Sequence, residues 1–235
     1  MPSRDYTVAL CSRPMEENVE GRDPVKLIRK LSLWAVGAVI VLLAIVVALM
    51  AYKGHRKKLD ETAIVTAVTE STAVLREALG AGAADGTARV DPLLARVKAA
   101  ERSPLADAAE DYVLGTREIA RRRAEANRLA PQTAAARQAL LAHLAAGARR
   151  NDGWIKHAGD LKNRVESAYF EVGVQLKALV GLIDGMNESR GRLGPLMGDK
   201  LLIDTPALSA GRERVREELK RNAEELDRAR QIPIG

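Results

Sequence analysis

An all-α fold, a single N-terminal transmembrane helix continuing into an antiparallel helical bundle with coiled-coil-like segments, is predicted by three features of this chain. An apolar run without a charged side chain extends from Leu31 to Tyr52. Apolar residues recur at steps of three and four between Leu161 and Met186. Outside the apolar run, the sequence is rich in Ala, Leu, Glu, Arg and Lys, with few β-branched clusters and no segment that reads as a strand. The bundle core is expected to be thin. Only seven aromatic residues occur in the 235, and Ala supplies much of the apolar content, so close helix contact must replace bulky side chains.

Residues 1–30 read as a poorly ordered cytoplasmic tail. Its Cys11 is the chain's one cysteine and cannot close an internal disulfide; it is a free thiol or a link between chains. No charged-then-apolar leader precedes it and Leu10 is bulky, which argues against a lipidated cysteine.

The run Leu31–Tyr52 holds 22 residues between Lys30 and Lys53. About 20 apolar residues at 1.5 Å each cross the ~30 Å hydrocarbon layer, so residues 31–52 are expected to span a bilayer once. Trp34 and Tyr52 stand near its ends as membrane anchors, where rings with an apolar body and a polar tip prefer the headgroup level. A cleaved signal peptide has an apolar region of about 7–15 residues close to the start, which this longer and later run does not match. Basic residues flank the run on both sides. Arg22, Lys26, Arg29 and Lys30 precede it, and Lys53, Arg56, Lys57 and Lys58 follow it. Cytoplasmic flanks hold the excess of Lys and Arg, but a long C-terminal domain translocates largely regardless of charge. The expected orientation is therefore N-terminus in and domain out, as in a single-pass protein of a bacterial-type inner membrane. Lys53, Arg56, Lys57 and Lys58 also suit contact with anionic lipid, at ~1 kcal/mol for each basic residue near such a leaflet.

Residues 53–79 are expected to continue the helix as a stalk, because Leu59, Ile64, Val68, Leu75 and Leu79 keep a helical spacing and no proline occurs before Pro92. The bundle domain, residues 80–235, begins with a break, since three glycines and Asp85 fall within residues 80–86. Asp91-Pro92 and Ser103-Pro104 each place a capping residue before a proline, which predicts a short helix from Pro92 and a longer one from Pro104 to about Leu129. Ala130-Pro131 is expected to separate this from an Ala-rich helix reaching Ala148, and Asn151-Asp152-Gly153 separates that from the next. There Leu161, Val165, Ala168, Val172, Leu176, Leu179, Ile183 and Met186 form one stripe. Phe170, Val174 and Val180 widen the apolar surface, as for a helix between two neighbours. Residues 191–205 read as a packed loop containing three glycines and Pro195. Thr205-Pro206 restarts a charged helix with a seam of Leu208, Val215, Leu219 and Leu226 that ends before Pro233. Four or five helices are thus expected in the bundle. Tyr112-Val-Leu-Gly115 echoes a tetratricopeptide repeat, but no period near 34 residues recurs.

Chemistry is sparsely signalled. His55, His143 and His157 lie far apart and have no partner at metal-ligand spacing, so neither a metal nor a cofactor is expected. Asp107, Glu110 and Asp111 share a helical face, but acidic residues early in a helix serve its dipole and nothing nearby completes an acid-base pair. Gly-x-Ser-x-Gly and phosphate-loop patterns are absent from the sequence. No catalytic residue is therefore named. The run Arg117, Arg121, Arg122, Arg123 and Arg128 lacks interleaved aromatics and is diluted by Glu118 and Glu125, which reads as a solvated face rather than a nucleic-acid interface.

These features predict a non-catalytic, membrane-anchored interaction or scaffold protein. Its partner is a protein or its own copies, and Leu201, Leu202, Ile203, Leu219 and Leu226 are the candidate contacts. A place as accessory subunit of a membrane complex would use the small residues Gly37, Ala44 and Ala48 of the span. An alternative is a sensory or ligand-binding bundle that signals through a partner. Over roughly residues 31–190 the layout resembles the outer half of chemoreceptor-type sensors, while lacking a second span and a signalling module.

Overall fold

The structure, a computed structural model, describes residues 24–80, 85–147, 151–198 and 205–234. Five helices occur among them: α1 (Pro24–Ala78), α2 (Thr87–Ala99), α3 (Pro104–Ala146), α4 (Asp152–Met197) and α5 (Thr205–Arg230). Two compact units divide the chain, residues 1–54 and residues 55–235, and the division falls inside α1.

In the first unit, every side chain described from Val36 to Gly54 is exposed. Val36, Ile40, Leu43 and Val47 each leave more than half of their surface uncovered. One stretch of α1 is long and apolar enough to cross a membrane. As expected from the unbroken spacing, α1 ends at Ala78, one residue before Leu79. Four threonines on its later part, Thr62, Thr66, Thr69 and Thr72, return their hydroxyls to carbonyls one turn back, at 2.8–2.9 Å. This satisfies polar groups that would otherwise compete with the helix.

The second unit is a bundle whose order is fixed by paired side chains. Glu77 meets Arg89 and Glu70 meets Arg96, so α2 runs antiparallel to α1. Asp91 meets Arg117 and Lys98 meets Glu110, which turns α3 back along α2. Arg122 donates to Gln175 at 2.9 Å and Arg192 pairs with Asp111 at 2.8 Å, so α4 is antiparallel to α3. Arg212 pairs with Asp184 at 2.7 Å and Asn222 donates to the Tyr169 carbonyl at 2.9 Å, which reverses the chain once more. Helices α3 and α5 consequently run parallel, joined by Arg123 to Glu218 and by Arg137 to Glu225.

Among the described residues, two clusters make up the interior. The larger joins Ile64, Val68 and Leu75 of α1, Val90 and Leu93 of α2, the first half of α3, the second half of α4, and Leu208 and Val215 of α5. The smaller, at the other end, contains Leu140, Leu161, Val165, Tyr169 and Ala229. Close approach takes the place of bulk in the larger one. A Cβ at Gly115 would collide with the Met186 sulfur, so this glycine lets α3 and α4 meet there. Tyr112 is fully buried, and its phenol lies 3.0 Å from the Thr72 hydroxyl. That hydroxyl already donates to Val68, so the phenol is the donor of the pair.

Several boundaries differ from the sequence expectation. Helix α2 begins at Thr87 rather than Pro92, because Asp85 accepts the Thr87 N–H at 2.9 Å and starts the helix earlier. Pro92 is accommodated inside it. Pro131 does not divide α3, which continues through it to Ala146. A proline within a helix removes a hydrogen bond and costs about 3 kcal/mol, and here burial of Leu129, Thr133 and Leu140 on both sides holds the helix together. Residues 191–197 are not loop but the last turns of α4, since Leu193 and Met197 extend its buried stripe. The helix stops at Gly198, whose φ of 56° suits a residue without Cβ. The stripe itself is as expected except at Ala168, where Tyr169 takes the inner place. Phe170 and Val174 do not widen the buried face: they are 62% and 45% exposed, so the seam of α4 is narrower than the sequence implied.

Gly115→Leu is expected to destabilise the detergent-solubilised full chain by roughly 1–3 kcal/mol in denaturant unfolding, through overpacking against Met186. Gly159→Ala, at a position where a Cβ meets nothing, is expected to stabilise it by up to about 1 kcal/mol in the same measurement.

Candidate functional site

The segment beside the apolar stretch of α1 keeps its basic side chains in solvent. Tyr52 is 63% exposed, and Lys53, Arg56, Lys57 and Lys58 are all exposed. Trp34 lies within α1, with its side chain outside the described set. Leu201, Leu202 and Ile203 lie outside the described residues. Leu219 is half-buried and packs on the larger core, and Leu226 on the smaller one, so much of each side chain is already covered from within the domain.

The arginine run of α3 proves to be a set of ion pairs. Glu118 accepts from both Arg121 and Arg122, and Arg128 pairs with Glu125 at 2.6 Å. The hydrogen bond from Arg121 holds the Glu118 carboxyl below its usual range despite partial burial, and Arg122 adds to this. Arg123 is a different case, with only 2% of its surface exposed. Its guanidinium takes both oxygens of Glu218, one at 2.9 Å, while its Nε donates to the Gly80 carbonyl at 3.2 Å. Arg214 donates to the Leu79 carbonyl at 2.8 Å. Two arginines from α3 and α5 thereby bind carbonyls just after the C-terminus of α1, where the helix dipole favours cations. In the sequence Arg123 is one of a row that reads as solvated. Its position on the same face as Ala120, Ala126 and Ile119 was the available signal that it points inward.

The carboxylates of early α3 are separately occupied: Asp107 by Arg102, Glu110 by Lys98 and Asp111 by Arg192. Two of the three histidines do meet. At the turn between α3 and α4, the His143 ring stacks on Trp154 with centroids 4.9 Å apart and meets the edge of His157 at 4.7 Å. Nε2 of His143 donates to the Trp154 carbonyl at 3.2 Å. A Cβ on Gly147 would come within 2.6 Å of the Trp154 ring, so the absent side chain makes room for this cluster. His143 and His157 are brought together by the hairpin, which no local spacing could indicate. Among the described residues, no group of three or more His, Cys, Asp or Glu converges as a metal site would. An open groove of about 560 Å³ runs along the second half of α3, lined by Thr133, Arg137, Gln138 and Leu141 and closed at one side by Tyr169 of α4.

Comparison with protein-family models, with curated proteins and with solved structures finds no match to this chain.

Replacing Arg123 by Ala leaves the carboxylate of Glu218 facing an emptied interior and is expected to cost about 3 kcal/mol. The double change Arg123→Met with Glu218→Leu is expected to cost less than the single one, a reversal of order that chemical denaturation reads directly. Because the Glu118 carboxyl is shifted down, its stabilisation is present above the unfolded-state pKa near about 4.3 and is lost as pH falls through the folded value. Glu118→Gln is therefore expected to flatten the acid limb of a stability–pH profile and leave the neutral limb's slope unchanged.

Proposed function

We propose that this chain is a non-catalytic, membrane-anchored interaction protein, with α1 crossing the bilayer once and the helical domain docking to a protein partner or to its own copies. The observation that carries this reading is the exposure of the apolar side chains of α1 from Val36 to Met50. Such a run, left in water, would be an aggregation site, whereas hydrocarbon provides the burial it lacks. Tyr52 and the basic residues Lys53, Arg56, Lys57 and Lys58 follow it in the order expected of an interface, ring first and charges next. The domain beyond is a set of helices whose charged groups are largely engaged with one another, which suits a docking module better than a centre for acid-base chemistry. The proposed topology places the N-terminus inside and the domain outside, because the flanking charges nearly balance and a long domain is the easier part to translocate. An accessory role in a membrane complex is one form this docking takes, with Gly37, Ala44 and Ala48 offering close helix contact inside the bilayer.

Reporter fusions at residue 10 and residue 235 are expected to report opposite compartments; reporters on the same side would exclude a single span. Lysine crosslinking in intact membranes is expected to yield adducts of higher mass that contain the domain. A chain that remains wholly monomeric and partner-free under those conditions would remove the docking reading.

A further inference from the structure

The turn between α3 and α4 gathers ring nitrogens that the fold does not use. His143 lies in the last turn of α3 and His157 in the second turn of α4. Local chemistry brings them together. Asn151 caps α4 by accepting the Trp154 N–H at 2.8 Å, and Gly147, where a Cβ would strike the indole, ends α3. The indole is thereby laid against the His143 ring, and His157 meets that ring from α4.

His143 is set as a metal ligand is set. The Trp154 carbonyl can only accept, so Nε2 of His143 carries a proton, and in the neutral ring Nδ1 keeps the lone pair. Metal-bound histidines characteristically donate their other ring N–H to a carbonyl or carboxylate, which fixes the tautomer and the orientation of the ring. Stacking on Trp154 restrains the same ring further. Nδ1 of His143 and both nitrogens of His157 have no hydrogen-bond partner among the described residues. His157 is exposed, which gives an ion its way in.

The spacing of the two rings suits a shared ion. With metal–nitrogen bonds of about 2.0–2.1 Å and a ring centre about 1.1 Å behind each nitrogen, an ion stands about 3.2 Å from each centre. Centres 4.7 Å apart then subtend about 95° at the ion, between the angles of about 90° and about 109° of octahedral and tetrahedral coordination. The ring planes, 84° apart, do not overlap around such an ion, and the exposed His157 ring, held by no hydrogen bond, turns to present a nitrogen. Imidazole pairs select copper or zinc over magnesium or calcium, which take oxygen.

We propose that His143 and His157 form a two-imidazole site for a late first-row divalent ion, Cu²⁺ or Zn²⁺, which clasps the end of α3 to the start of α4. Water completes the coordination. This binding is a property of the hairpin that the docking reading neither needs nor supplies.

The test uses the untagged full chain in detergent and a non-chelating buffer, with Trp34→Phe so that Trp154 is the single tryptophan. Cu²⁺ is expected to quench its emission saturably, with a half-point in the micromolar range, because the ion sits on a ring stacked against the indole. EDTA is expected to restore the emission. His143→Phe keeps a ring against the indole but removes both nitrogens, and His157→Ala alters an exposed side chain; circular dichroism checks that each variant is folded. Each is expected to raise the half-point at least about tenfold, the lower end of what loss of a mere supporting contact costs a metal site. His55→Ala is expected to leave it in place. Absence of saturable, reversible quenching, or a half-point that His157→Ala does not move, would overturn the proposal.

Discussion

Arg123 is the constraint around which the bundle is organised. A guanidinium cannot lose its charge, so burial obliges the fold to deliver partners to it, and leaving it unpaired would cost several kcal/mol. Its carboxylate comes from α5 and its carbonyl from the residues just after α1. Three segments distant in sequence must therefore arrive together. Sliding α5 by one turn along α3 would strand Glu218 and leave the guanidinium without its fork, so the pair selects one register among several that apolar packing alone would accept. Arg214, on the same helix as Glu218, makes the neighbouring contact to Leu79 and adds a second fixed point.

Such a selector matters because a quarter of the larger core is alanine. Ala67, Ala78, Ala109 and Ala120 lie at its contacts, and each buries little area. Alanine surfaces are smooth, and smooth helices slide. What they offer instead is proximity: Gly115 admits Met186, and a Cβ on Gly211 would stand 2.9 Å from Leu79, so α5 also reaches the end of α1 closely. Packing supplies the attraction at short range, and the buried charges decide where along the helices it is realised.

Much of this was legible in the sequence because helix periodicity is local. The stripe from Leu161 to Met186 and the continuation of α1 to Ala78 required only the spacing of apolar residues. Helix boundaries are less local. Pro131 and Pro195 lie inside helices that long-range burial holds on both sides, and a single-segment reading weighs the lost hydrogen bond without seeing the neighbour that compensates for it. Asp91-Pro92 has the form of a helix start, yet α2 begins earlier, at Thr87, whose N–H Asp85 accepts, and Asp91 meets Arg117 across the bundle. The largest gap concerned the arginines of α3. Five in a short run look alike on paper, yet four pair with carboxylates at or near the surface and one is interior, a difference created only when α5 returns.

The unequal size of the two interior clusters has a dynamic consequence. Below Pro131, the tip of the α3–α4 hairpin is held by five buried side chains, while the other end of the domain is held by a core drawn from all five helices. Local opening is cheapest where few apolar contacts must be surrendered, so the two ends of one helix pair differ in the free energy at which their amides meet solvent. Amide protons near Leu140 and Leu161 are expected to exchange through this small-scale opening, and those near Ile119 and Ile183 only through rupture of the whole domain. The bundle is accordingly graded along its length, firmer around Ile119 and Ile183 than around Leu140 and Leu161.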